Sequence, residues 1–152
     1  MPEIIISDTS CLILLKKIGQ LQLLPKLYSQ IFVTSLIVKK FGSDLPAEIV
    51  VREAQDLNLL KTLSLTVDEG EASAIALAFE IEDSILVLDD RKARKFASSL
   101  GLKLTGTLGI LLKAKHLGLL PSVKQILDEL RKTDFRISQH IIDRMLKEAG
   151  EN

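Results

Sequence analysis

Acidic residues stand at three places in this sequence where they could share a ligand. Glu3-Ile4-Ile5-Ile6-Ser7 is a short β-branched run that ends in Asp8, followed by Thr9 and Ser10. Ser84-Ile85-Leu86-Val87-Leu88 is a second such run, closed by Asp89 and Asp90. Buried parallel strands that end in Asp deliver their carboxylates to one sheet edge, where open α/β folds bind ligands. Glu71 adds another acid, from a helix whose first turn reads Asp68-Glu69-Gly70-Glu71. Carboxylates crowded at that range repel, which raises their pKa values or calls for a divalent cation. Asp8, Glu71, Asp89 and Asp90 are therefore the candidate catalytic and metal-binding set, and metal-dependent phosphodiester chemistry is the leading reading.

Each acid also has a structural alternative. Asp8 either caps the following helix or ligates an ion. One of Asp89 and Asp90 caps the next helix while the other faces the strand ends. A carboxylate at Glu71 is favoured by the helix dipole with or without a ligand. Thr66-Val67-Asp68-Glu69 fits a capping box, which makes Glu69 the box residue and Asp68 a solvated first-turn acid. Arg91, Lys92, Arg94 and Lys95 follow the acidic pair and either hold phosphates or form a solvated helix face. Thr105-Gly106-Thr107 ends a strand and opens a helix, offering hydroxyls and free N–H groups to a phosphate. Thr9, Ser10, Arg91, Arg94, Thr105 and Thr107 are the candidate substrate contacts. His116 and His140 lack any spacing that suggests zinc and read as surface residues. No phosphate-binding Gly-rich loop or nucleophile elbow is present.

The elements that must position these groups alternate strand with helix. Ser10 is placed to cap a helix through Leu12–Ile18 that breaks at Gly19. A helix over Leu21–Tyr28, a strand at Ile31–Val33 and a helix to about Phe41, capped by Thr34 or Ser35, come next. Ile49–Val51 reads as a strand or, nearly as well, as part of a helix. The Ala-rich helix after Asp68 would set Ala72, Ile75, Ala76 and Phe79 in one stripe. A basic helix over Arg91–Leu100 stops at Gly101. Lys103–Thr105 is a last strand, followed by helices through His116, over Ser122–Lys132 and over Ser138–Ala149. This alternation gives an α/β fold.

At 152 residues the chain is long enough for one domain, 1–152, and too short for two typical ones. Its apolar content of 47% with 4% aromatics means a core of Leu, Ile, Val and Ala. Twenty basic and twenty acidic residues cancel, so any attraction for nucleic acid is local. The single cysteine, Cys11, excludes an internal disulfide and reads as a core residue of a reducing compartment. No apolar stretch approaches the roughly 18–20 residues of a membrane span, and the N-terminus lacks signal-peptide features. A cytoplasmic location without membrane partners is the expectation.

Ile6-Ser7-Asp8-Thr9-Ser10, Gly70-Glu71-Ala72 with Ala74–Ala78, and Val87-Leu88-Asp89-Asp90-Arg91-Lys92-Ala93-Arg94 resemble the successive acidic motifs of PIN-domain proteins. Leu104–Leu112 with Ala114-Lys115, and the tail from Phe135-Arg136-Ile137-Ser138 through Leu146–Glu151, are similar to a prokaryotic PIN-like branch catalogued as a domain of unknown function. The resemblance implies a Rossmann-like three-layer α/β/α sandwich with a central, mainly parallel sheet. It implies an acidic pocket holding Mg²⁺ or Mn²⁺, RNA as substrate, and in many prokaryotic members a toxin neutralised by a small antitoxin protein. One residue departs from the family pattern: Lys40 stands where the helix after the second strand usually carries Glu. A charged Lys cannot ligate an ion. The exchange shifts local charge by two, each unit worth roughly 3 kcal/mol at about 5 Å and an effective dielectric near 20. Either a nearby acid such as Asp44 or Glu48 compensates, or this chain binds metal poorly.

Three readings compete: a metal-dependent ribonuclease, a metal-poor PIN-like module that binds RNA or protein, and a receiver-like signalling domain. The last is disfavoured because Lys103 leads the final strand instead of following it. Ile110, Leu111, Leu117, Leu119 and Leu120 exceed what one helix and its exit need to bury, which predicts a homodimer or an antitoxin complex.

Overall fold

The computed structural model describes residues 3–151. Its centre is a parallel sheet of β1 (Ile4–Ser7), β2 (Gln30–Val33), β3 (Ile49–Val51), β4 (Ser84–Val87) and β5 (Leu104–Thr105). The order is β3-β2-β1-β4-β5. The chain starts in the middle, steps outward through β2 to β3, then returns to β4 on the other side of β1. The gap between β1 and β4 is thus the topological switch point, and their carboxyl ends form its crevice. Register pairs Ile5 with Ile31 on one side and with Ile85 on the other.

Burial explains the strand sequences. Ile5, Ile6 and Ser7 of β1 are all buried, as are Ile31, Phe32 and Val33 of β2. Consecutive buried positions mean that both faces of the sheet are covered, as in an α/β sandwich of the expected Rossmann-like kind. At the edge, β3 leaves Val50 and Val51 about half exposed.

Helices α1 (Thr9–Lys17), α2 (Leu23–Leu27) and α3 (Ser35–Phe41) connect the first three strands. Helices α4 (Leu57–Leu63) and α5 (Glu69–Glu80) form the return to β4, and α6 (Arg91–Ser99) leads to β5. The chain closes with α7 (Thr107–His116), α8 (Val123–Arg131) and α9 (Gln139–Glu148). The final turn is latched, because Glu151 accepts from the backbone N–H groups of Val123 and Lys124 and from Ser122 Oγ.

Several sequence expectations need correction. Asp8, not Ser10, caps α1, because the backbone stays extended only to Asp8 and the helix begins at Thr9. The capping box of α5 is Asp68 with Glu71, two residues later than Thr66 with Glu69. Helix α5 shows no apolar stripe. It is buried from Ala72 through Ala78 on every side, while Phe79 is 46% exposed. Helix α4 was not expected from the sequence. It is seven residues long with only Leu63 buried, so its hydrophobic period is too short to register. Ile110, Leu111 and Leu120 do not form a surface. They are buried in the chain's own core beside Val123, Ile126, Leu127 and Leu130, because α8 folds back onto α7. Only Leu117 and Leu119 of that group are exposed, which removes the argument for a homodimer.

Candidate active site

The Asp8 side chain meets the Asp89 backbone at the switch point. Asp8, only 4% exposed, caps α1 by accepting the Cys11 N–H through Oδ1 at 2.9 Å. Its other oxygen accepts the backbone N–H of Asp89 at 3.1 Å, across 81 positions of sequence. The Asp8 N–H in turn donates to Val87 O at 3.1 Å, extending the β1–β4 ladder by one rung. Asp89 turns toward β5 and α7, where Oδ1 accepts the Thr107 N–H at 2.8 Å and Oδ2 accepts the Thr107 hydroxyl. Gly106 caps α7 without a side chain, so Asp89 supplies the acceptor that this helix terminus lacks.

Gly106 is also a steric requirement. A Cβ there would come within 2.9 Å of both Asp89 Oδ1 and Arg94 Nη1. Gly109, one turn into α7, has the same relation to Thr105, whose Oγ1 would lie 2.6 Å from an added Cβ. The β5–α7 turn therefore rests directly on Asp89.

Burial pushes the Asp8 carboxyl up to about 7, and the Asp89 charge pushes in the same direction. The two N–H groups donated to Asp8 pull the other way, and Glu71 adds a smaller upward push. Glu71 is itself raised, first by burial and then by the Asp68 charge, with Asp90 adding to the shift and Lys40 opposing it. These are the electrical signs of one acidic site. Burial also pushes the Cys11 thiol well up, with Asp8 and Asp89 adding to it, which makes this cysteine an inert core residue.

The two members of the Asp89-Asp90 pair divide the alternatives between them. Asp90 caps α6 by accepting the Ala93 N–H at 2.9 Å, while Asp89 gives its N–H to Asp8 and turns its carboxylate to Thr107. Thr107 is fully buried against Asp89, and Thr105 lies at the end of β5. Arg94 is anchored by donation from Nη1 to Leu88 O at 2.7 Å. Arg91, Ser10 and, in part, Thr9 are open to solvent on the first turns of their helices.

Lys40 reaches the same region. Its Nζ lies 3.4 Å from Asp68 Oδ1 and beside Gly70, at the N-terminus of the helix that carries Glu71. Asp44 and Glu48, the acids considered as compensation, are exposed in the loop before β3 and are not among the charges acting on Asp8 or Glu71.

Among the described residues, no three of His, Cys, Asp and Glu stand close enough to cage an ion. Mg²⁺ and Mn²⁺ do not need a cage. They favour oxygen donors, and Mg²⁺ commonly takes one or two carboxylates, with waters and substrate phosphates filling the other positions. Asp8 and Asp89 fit that demand. Each of their oxygens accepts one hydrogen bond and keeps a lone pair. Thr34 and Ser73, buried and hydrogen-bonded at 2.7 Å, tie the start of the Lys40 helix to the Glu71 helix.

The sequence marks the segment between α8 and α9 only as part of the family-like tail, not as a neighbour of the acids. Phe135, Arg136 and Ile137 line a cleft together with Asp89, Arg91 and Arg94. About 45 positions separate them from the acids, and no spacing rule could have joined the two. A family model described as PIN domain matches residues 4–151 of the chain. No curated protein matches it.

Proposed function

The chain belongs to the PIN-domain family, and from that premise we propose that it is a ribonuclease dependent on Mg²⁺ or Mn²⁺. The observation that carries this reading is the buried Asp8 carboxyl, joined to Asp89 at the switch point and held near 7 by burial and that neighbour. A buried carboxyl beside a second, half-buried carboxylate is relieved most directly by a cation. When bound, the cation supplies Lewis acidity at the scissile phosphate and eases ionisation of the attacking water.

The chain's own groups do the rest. Asp8 and Asp89 hold the cation, and Thr107 fixes the Asp89 rotamer so that little reorganisation is needed. Glu71 and Asp90 add negative potential and accept from waters around the site. Arg91 and Arg94 hold phosphates of the substrate, and Thr9, Ser10 and Thr105 offer hydroxyls at the same sheet edge. No described helix is long and apolar enough to cross a membrane. Action in the cytoplasm, as the toxin of a toxin–antitoxin pair held in check by a small antitoxin, belongs to this reading and rests on the family likeness. Cleavage of a labelled RNA with Mn²⁺, and its loss on chelation, tests the activity. Equal cleavage in chelator would refute the metal dependence.

A second reading is supported by Lys40. Its ammonium pairs with Asp68 and opposes the rise at Glu71, so it does part of a cation's work without ligating anything. On this reading the protein is a weak catalyst that binds RNA or protein through the same face. Lys40→Glu separates the two. The substitution is expected to tighten Mn²⁺ binding tenfold or more, since only about 1.4 kcal/mol is needed for that factor. It should also lower the melting temperature of the metal-free protein by like-charge repulsion with Asp68 and Glu71. Equal Mn²⁺ affinity in calorimetry would mean that Lys40 does not limit the site.

A further inference from the structure

A cleft of about 590 Å³ opens beside Asp89. It is lined by Asp89 itself, by Arg91 and Arg94 of α6, by the β5–α7 turn and by Phe135 and Arg136. Its size lies within the range of small-ligand sites, and Asp89, whose N–H bonds the Asp8 carboxylate, forms part of its wall.

Its charge is unusual for this chain. Acids and bases are equal in number overall, yet three guanidinium groups face one cleft. Among the described residues Arg91 and Arg136 have no acidic partner, and Arg94 is committed only to a backbone carbonyl. The one acid in the lining, Asp89, already accepts from Thr107 with both oxygens. Guanidinium groups left free in this way are suited to phosphate, whose oxygens they bind in pairs. The chain has only five Phe, one Tyr and no Trp, and one of those six aromatic residues, Phe135, lines the same cleft as the three arginines. Phe135 is held against the core on one side, so it offers a fixed surface on which a base can stack.

We propose that this cleft holds the nucleotide next to the scissile phosphate of a single-stranded RNA, its base on Phe135 and its phosphate between Arg91 and Arg136. The inference rests on the ribonuclease reading of Asp8 and Asp89. A double strand is excluded because its bases are stacked and paired and present no free face.

Fluorescence anisotropy with labelled octauridylate, in chelator so that no cleavage occurs, tests the assignment. Arg136→Gln, an exposed change, is expected to weaken binding at least threefold. It should also reduce the slope of log affinity against log salt by about 0.7, the value for one lost phosphate contact to a single strand. Phe135→Ala is expected to weaken binding about tenfold, with Phe135→Tyr restoring it. Thermal unfolding of each variant checks that it is folded, and Arg136→Gln keeps the test decisive if Phe135→Ala is not. Unchanged affinity in Arg136→Gln overturns the proposal and leaves the cleft to some other ligand, a protein segment included. Octathymidylate bound as tightly, with the same loss on Arg136→Gln, overturns the assignment to RNA in favour of single strands of either sugar. Cleavage by the wild type with undiminished affinity in the variants would sink the cleft and spare the ribonuclease. The expected losses of affinity without cleavage in Mn²⁺ would do the reverse.

Discussion

Asp8→Asn is expected to reduce Mn²⁺-dependent RNA cleavage by at least a factor on the order of 10²–10³, the effect of losing one preorganised electrostatic group. The same change is expected to stabilise the metal-free fold at pH 8. The carboxyl lies near 7 in the folded chain against an ordinary 3.8, so the folded state holds its proton more tightly than the unfolded state. Its contribution to stability is fully present below about 3.8 and is lost as pH rises through about 7. A shift of that size corresponds to about 4 kcal/mol. Asn recovers only part of it, because it still caps α1 but its amide nitrogen cannot accept the Asp89 N–H. A melting temperature several degrees higher at pH 8, at roughly 2–4 °C per kcal/mol, should fall back to or below that of the wild type at pH 4. Differential scanning calorimetry at the two pH values reads this directly. A variant less stable than the wild type at pH 8 would mean that Asp8 is not a strained carboxylate.

Asp89→Ala is expected to lose as much activity but with the opposite effect on stability. Asp89 is the partner of both the Thr107 N–H and its hydroxyl, and Thr107 is fully buried. Removing it leaves buried donors unpaired at the start of α7, at a cost of about 1–3 kcal/mol. Relief of repulsion on Asp8 offsets part of that loss above pH 7. Asp89→Asn keeps an acceptor for Thr107 and should hold the melting temperature close to that of the wild type while cleavage stays low. Melting curves and a cleavage assay on both variants check the pair of effects. If Asp89→Asn cleaves RNA normally, Asp89 serves only to dock α7.

Much of this arrangement was legible in the sequence because its signals are local. Two β-branched runs that end in Asp give both the parallel strands and the acids at their carboxyl ends. The Thr-Gly-Thr segment marks the one helix start that rests on them. What was not legible depends on packing. Asp89 and Asp90 are equivalent as letters, and only the direction in which the chain enters α6 makes one a cap and turns the other to Thr107. Ile110, Leu111 and Leu120 read as surplus apolar surface until α8 folds over them. The capping box lies two residues further on because Thr66 and Asp68 are both good caps, and only Asp68 stands where the helix begins. Phe135 and Arg136 come to line a cleft with Asp89 through the path of the last two helices, which no periodicity encodes.

The central claim is that Asp8 and Asp89 hold a divalent cation, and titration calorimetry with Mn²⁺ at pH 7.5 tests it most directly. One saturable site is expected in the wild type, and it should disappear when Asp8→Asn and Asp89→Asn are combined. A wild type without saturable heat, or a double variant that binds Mn²⁺ as the wild type does, would contradict it.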